Sequence, residues 1–250
     1  MNRAQSDAIG FVLVFSLIVL TVGTVYAMGY PALQDLRTDE QLENMERAFD
    51  VLDDNVDDMA RDGAPSRATE IKLNGGVLAV NESTEVSIEA VDASTGENFT
   101  LNATSTPITY SRDDTTVAST YGAVVRDDRG ASVMRDGPGW VVGDDHAMIP
   151  LVIAQRVDDR TALGGSSTVL VRTDVVGRGV AADLHSDDVS DVNVTVTVTS
   201  PWAGAWGQYF ESQGMEPIDA NPDDGDVTYR ITGVESVVVQ QTAITVRLER

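Results

Sequence analysis

The chain opens Asn2-Arg3-Ala4-Gln5-Ser6-Asp7 and continues AIGFVLVFSLIVLTVGTVYAMGYPALQ over residues 8–34, a run without a single charge. As a helix, Ala8 to Tyr30 spans roughly 35 Å at about 1.5 Å per residue, enough to cross a hydrocarbon core of about 30 Å with some tilt. A secretory signal peptide has a shorter apolar region that ends at small residues, and a cut after Ala27 would meet Val25 and Tyr26, neither of them small. The stretch therefore predicts a membrane helix that stays with the finished protein, and the lipid bilayer is the first expected partner.

Charge on either side orients it. Arg3 precedes the run, whereas Asp35, Asp39, Glu40, Glu43 and Glu46 follow it. By the preference of basic residues for the cytoplasmic side, the N-terminus is expected inside and everything beyond Tyr30 outside, as a single-pass cell-membrane protein. The formal net charge is -23, and Lys72 is the only lysine. Such a surface repels phosphate backbones, which excludes nucleic acid as a partner. Hydrophobic residues stay at 42% and the acids are scattered rather than blocked, so the chain folds. An acid-coated surface with Arg as its cation fits molar salt, where the Debye length is about 3 Å and self-repulsion is screened. With no cysteine, disulfides and thiolate chemistry are excluded.

The residues ahead of the helix resemble the class III signal of archaeal type IV pilins. In that family a prepilin peptidase cuts after a small residue that follows a basic one, and the apolar helix remains on the product. The matching dipeptide is Arg3-Ala4, with Ala4 where the family usually has Gly, so the resemblance implies a mature chain starting at Gln5. It implies two further partners, the prepilin peptidase and other pilin-like subunits, and a haloarchaeal source agrees with the acidic composition. Gly10, Ser16, Gly23 and Ala27 are the small residues that would let such helices approach closely. The run Ser200-Pro201-Trp202-x-x-x-Trp206-x-x-Tyr209-Phe210 and the closing TAITVRLE at 242–249 resemble domains of unknown function that follow this helix in haloarchaeal proteins.

After Pro31, expected to kink or restart the helix, a second helical pattern runs to about Arg61. Leu42, Met45, Phe49, Leu52, Val56 and Met59 recur at alternating steps of three and four, a seam expected to pack on the downstream domain rather than form a coiled coil. Asp62-Gly63-Ala64-Pro65 ends it. The period then changes to two. Thr69 to Leu73, Asn74-Gly75-Gly76 and Val77 to Val80 read as a hairpin. Further strands are predicted at 84–91, 98–104, 107–111, 115–119, 121–126, 131–135, 148–155, 168–175, 192–199, 227–233 and 236–248. Between them, Ser200-Pro201 starts one short helix that Gly214 closes. The expected fold class is α+β: a long N-terminal helix, then an all-β, sandwich-like extracellular domain with one short amphipathic helix. Three regions follow: a leader at 1–4, the transmembrane and amphipathic helix at 5–66, and the β-rich domain at 67–250.

Candidate chemistry is sparse. The histidines are His146, beside Asp144 and Asp145, and His185; no Gly-x-Ser-x-Gly elbow accompanies them, so neither a catalytic site nor a cofactor is expected. Gly177-Arg178-Gly179-Val180-Ala181-Ala182 fits a dinucleotide fingerprint in letters but lacks its strand and helix context, and is expected to be a turn. Asp219, Asn221, Asp223 and Asp226 have the oxygen density of a calcium loop, but the Gly is one place late and position twelve is Arg230, so a solvated acidic turn is expected. Trp202, Trp206, Tyr209 and Phe210 fall on one helical face, expected to be core. Asn81, Asn98, Asn102 and Asn193 each begin an Asn-X-Ser/Thr sequon and are glycosylation candidates on the outer side. The functional expectation is a non-enzymatic minor pilin or pseudopilin; the alternative is a permanently anchored cell-envelope binding protein that never enters a filament.

Overall fold

The computed structural model describes residues 3–143, 145–185 and 192–250. Two compact units divide it, Met1–Asn44 and Met45–Arg250. A single helix, α1 (Arg3–Ala60), contributes to both. It runs through Pro31 as one helix, so the expected alternative of a restart there does not occur. The missing N–H of a proline removes only one i to i−4 bond, and the neighbouring turns keep theirs.

In the first unit, Ile9–Tyr30 is a 22-residue stretch of mean hydropathy 2.4, long and apolar enough to cross a membrane, and none of it is buried. Both of its threonines bond within the helix. Thr21 Oγ1 donates to the Ile18 carbonyl at 2.9 Å and Thr24 Oγ1 to the Leu20 carbonyl at 2.8 Å, so neither hydroxyl needs water.

In the second unit the chain runs β1 (Ser66–Lys72), β2 (Val77–Ala79), β3 (Thr84–Asp92), β4 (Asn98–Ser105), β5 (Ile108–Arg112), β6 (Thr115–Thr120), β7 (Ala123–Asp128), β8 (Ala131–Asp136), β9 (Val141–Val142) and β10 (His146–Arg156). It continues through β11 (Ala162–Gly164), β12 (Thr168–His185), β13 (Val192–Thr199), α2 (Ala203–Ser212), β14 (Glu216–Asp219), a 3-10 turn at Pro222–Asp224, β15 (Asp226–Val234) and β16 (Ser236–Glu249). These strands form three sheets: sheet A in the order β1-β12-β16-β10-β9, sheet B in the order β11-β2-β5-β6-β7-β8, and sheet C in the order β14-β15-β13-β3-β4. The unit is β-rich as the alternation predicted.

Sheets A and C meet face to face. β13 supplies Val192, Val194, Val196 and Val198, all fully buried, and β3 sets Ala90, Ile88 and Val86 opposite the last three. From sheet A, Ile149 and Leu151 of β10 and Val237 and Val239 of β16 join the same apolar cluster, with Trp206 and Phe210 of α2. β10 and β16 are paired in parallel, from His146 opposite Ser236 to Arg156 opposite Val246 without a register break. Yet the burial phase of both strands reverses. β10 buries Leu151 and then Val152; β16 buries Val239 and then Thr242, Ile244, Val246 and Leu248. Because side chains alternate faces, sheet A packs one face at one end and the opposite face at the other.

Of the expected seam of α1, Met45, Phe49, Leu52, Val56 and Met59 are each at most 3% exposed, and Leu42 is half-buried. Polar contacts fix its position. Asn55 Nδ2 donates to Thr69 Oγ1 of β1 at 2.9 Å, Arg67 binds Asp58 at 2.9 Å, and the Arg178 guanidinium of β12 donates to the Met59 and Ala64 carbonyls. Arg178 thereby satisfies an orphan carbonyl of the last turn, that of Met59, and ties it to the loop that follows.

The expected hairpin at 69–80 does not form. Its turn does: Asn74 and Gly75 have φ of 48° and 94°, and Gly76 N donates to the Leu73 carbonyl at 2.8 Å. However, β1 pairs with β12 while β2 pairs with β5 and β11, so the turn carries the chain from sheet A to sheet B. Tyr110 decides this, because its hydroxyl donates to the Leu73 carbonyl at 2.8 Å and its ring fills the space a Cβ on Gly76 would need.

Phe49→Ala should lower the unfolding free energy of the detergent-solubilised chain by about 3–5 kcal/mol in denaturant titrations, the usual cost of emptying a buried aromatic site. Val51→Ala, at a position 52% exposed, should change it by less than about 0.5 kcal/mol. Equal effects would mean that the seam is not buried.

Candidate functional site

Arg3, Ala4 and Gln5 are the first residues of α1. Among the small residues predicted for helix packing, Ser16, Gly23 and Ala27 fall within about 40° of one another at about 100° per residue, whereas Gly10 lies about 100° or more away. All four are exposed, and a Cβ on Gly10 or Gly23 would meet nothing within 4 Å. Nothing inside this chain requires glycine at either place.

The dispersed chemistry stays dispersed. His146 is exposed at the start of β10, and its predicted neighbour Asp144 lies outside the described residues. His185 Nδ1 is 2.8 Å from Asp183 Oδ1, with both side chains more than half exposed. Gly177 to Ala182 is strand and not the expected turn: it belongs to β12 and pairs with β16 across two bulges, between Val175 and Gly177 and between Val180 and Ala182. The bulges give the strand the local slack that the glycines suggested, without ending it.

In the acidic segment, Asn221 N donates to Asp219 Oδ1 at 3.2 Å, Asp223 N to Asn221 Oδ1 at 3.3 Å, and Asn221 Nδ2 to Asp224 Oδ2 at 2.8 Å. These side chains serve the loop's own turn, and Asp226 opens β15. Among the described residues, no three acid, His or Cys groups are placed to hold a metal ion. Trp202, Trp206 and Phe210 are buried and Tyr209 is half-buried, so this face is core as expected. Trp206 packs against Trp140 and Phe210 with ring centroids 5.8 Å apart in each case. α2 ends in a left-handed Gly214 (φ 76°), with Met215 N bonded to the Phe210 carbonyl and Gly214 N to the Glu211 carbonyl, the double bond of a Schellman end.

Two carboxylates on α1 are buried beside the seam. On α1, Glu46 and Asp53 are 8% and 5% exposed. Glu46 is held by two arginines, Arg126 Nη1 on Oε1 and Arg135 Nη2 on Oε2 at 3.3 Å, from β7 and β8. Arg126 also binds Asp128 at 2.7 Å, and that bond, more than Glu46, raises its pKa. Asp53 has no such help: its Oδ1 is buried without a hydrogen-bond partner among the described residues. Burial, then the charges of Asp57, Asp136 and Asp54, push its carboxyl up to about 7 against the opposing pull of Arg61. The signal in the sequence was position: Glu46 follows Met45 and Asp53 follows Leu52, on the flank of the seam. The arginines that compensate Glu46 are too distant in sequence to be foreseen; Arg126 is 80 residues away.

Residues 3–247 match a family of unknown function, DUF7289. The chain belongs to that family. The matched span starts at the first residue of α1 and reaches into β16, so DUF7289 takes in the apolar helix together with the three sheets. A protein of Archaeoglobus fulgidus, described as uncharacterized, is 23% identical over 83 residues, 33% of this chain and 27% of that protein. The chain thus matches about a quarter of that relative's length.

The folded DUF7289 unit holds the Asp53 proton more tightly than the unfolded chain does, so this group's contribution to stability is complete below about pH 4 and is lost as pH rises to about 7. Asp53→Asn should remove that part of the slope and stabilise the protein at pH 8 by on the order of 2–4 kcal/mol, read from urea midpoints at pH 5 and 8. Parallel profiles for variant and wild type would rule out an uncompensated carboxyl.

Proposed function

We propose that this protein is a non-enzymatic, pilin-like surface protein of a haloarchaeon, a minor pilin or pseudopilin anchored by its N-terminal helix. The observation that carries the reading is the uncovered apolar helix Ile9–Tyr30 directly behind Arg3-Ala4-Gln5. Some 22 residues of apolar side chain exposed on every side need lipid or other helices around them, since each buried methylene is worth about 0.8 kcal/mol. A prepilin peptidase would act at Ala4, and extraction of the helix from lipid would exchange lipid contacts for helix contacts. Ser16, Gly23 and Ala27 supply the flat stripe for close approach. The β-rich unit would then stand outside the cell, in agreement with Arg3 before the helix and acids after it. The net charge of -23 supports a high-salt setting.

Ala4, in place of the usual glycine, favours a second reading, a permanent anchor that is never cut and displays the β-rich unit as an envelope binding protein. Mass spectrometry of the native N-terminus separates the two. A chain starting at Gln5 supports processing, and Ala4→Leu should then leave the longer precursor in the membrane. A chain starting at Met1 or Asn2 overturns processing and leaves the anchor.

The sidedness has its own test. Lys72 is exposed and is the only lysine. A membrane-impermeant amine reagent added to intact cells should label the protein at Lys72, and Lys72→Arg should abolish the label. Labelling only after lysis would overturn the outward topology.

A further inference from the structure

We propose that the outer face of sheet C is a modified surface, carrying N-linked oligosaccharides on Asn98, Asn102 and Asn193. Asparagine is depleted in strands, and the described strands contain three, all in sheet C and all followed at the second position by threonine. Sheets A and B have no strand asparagine among the described residues. A motif of this length recurs by chance; the sorting of all three onto one face of one sheet is a property of the fold.

Strand periodicity builds the face. In each sequon the middle residue turns inward: Ala103 and Val194 are buried and Phe99 packs against the main core. The asparagine and its threonine therefore both point outward. Asn98, Thr100, Asn102 and Thr104 are exposed, while Asn193 and Thr195 are half-exposed. The register places Asn193 and Asn98 on either side of Val91 in one row, with Thr195, Glu89 and Thr100 in the next and Thr197, Ser87 and Asn102 in the third. At about 4.8 Å between strands, Asn98 and Asn193 are about 10 Å apart, and Asn102 is about 13 Å along β4 from Asn98. Asn98 and Asn102 are exposed on the outer strand β4, while beside Asn193 the Arg230 Nε of β15 donates to Thr195 Oγ1 at 3.4 Å. Asn98 Nδ2 donates to the Gly96 carbonyl at 3.2 Å.

The chemistry is a transfer without redox change. The side-chain amide nitrogen forms a bond to C1 of a phosphate-activated oligosaccharide, the C1–O bond to the phosphate breaks with its electron pair, and the amide gives up one proton. The threonine two positions on lies on the same face, within reach of the same enzyme. With the sugars in place the outer face of sheet C is screened.

The inference rests on the outward topology proposed above, and its test separates the two. Protein from the native membrane is labelled on intact cells at Lys72, purified, digested and mapped by mass spectrometry. Hexose-containing mass additions are expected on the peptides bearing Asn98 and Asn102 and on the one bearing Asn193, and the triple variant N98Q/N102Q/N193Q should lose them while retaining the wild-type circular dichroism. Bare peptides from protein labelled at Lys72 overturn the modification and leave the topology standing. Bare peptides from unlabelled protein overturn both. Sugar confined to Asn81, in the loop ahead of β3, overturns the assignment to this face.

Discussion

Apolar surface has to be covered, and α1 must meet that demand in two ways along one helix. From Ile9 to Tyr30 the side chains are apolar all round, which only lipid or other helices can cover. From Met45 to Met59 the apolar residues narrow to a single seam, which a folded sheet domain covers completely. Sequence composition draws the division: an uncharged run has no wet face, whereas a seam flanked by Asp, Glu and Arg has one. The compact unit accordingly begins at Met45, inside the helix, and not where the helix ends.

Sheet A buries side chains on both of its faces. A sheet with one buried face would serve sheet C alone. Here β10 and β16 reverse their buried phase midway, so that one end faces the cluster shared with sheet C and the other end presents Ile244, Val246 and Leu248 on the opposite face. β12 follows the same rule, with Val169 and Val171 buried at one end and Leu184 at the other. Between them lies the exposed stretch 176–181, with its bulges and glycines, where the strand needs no core side chain on either face. The long parallel pair β10–β16 is the frame that lets one sheet have two insides, since its eleven-residue register is unbroken.

Much of this was legible because alternation is a local property. β13 was read from 192 to 199 and occupies Val192–Thr199, and β3, β4 and β15 differ from their predicted bounds by no more than one residue at either end. Partnership was not legible. Asn74-Gly75 announced a tight turn correctly, but whether the turn joins two strands of one sheet depends on Tyr110 and on the loop at Gly165, which bonds Gly75 and Gly76 through backbone groups. Gly177 to Ala182 read as a turn because glycines weaken strand propensity, and it is strand because β16 lies alongside. The burial of Glu46 and Asp53 was not legible, because nothing local marks a carboxylate that a distant strand will bury. The sequons could be seen as four separate motifs; only the register shows that three of them share a face.

The glycines of the apolar helix bear on what that helix is for. Gly in a helix interior costs about 1 kcal/mol relative to Ala, and Gly10, Gly23 and Gly29 all sit inside α1. In a folded domain such residues usually admit a close neighbour, as Gly76 admits Tyr110 and Gly207 admits Tyr229. The three in the apolar run have no neighbour within 4 Å, so no contact within this chain offsets their cost. A plain lipid anchor gains nothing from them either, because lipid tails fill any surface contour. Close approach of a second helix does gain, and Gly23 with Ala27 and Ser16 provides one smooth stripe for it. The stacked pair Tyr26–Tyr30 lies on the neighbouring arc, where it supplies bulk beside the stripe, whereas the stacked pair Phe11–Phe15 lies farther round the helix. A second helix gains from such a stripe where lipid does not, which agrees with the assembly proposed above.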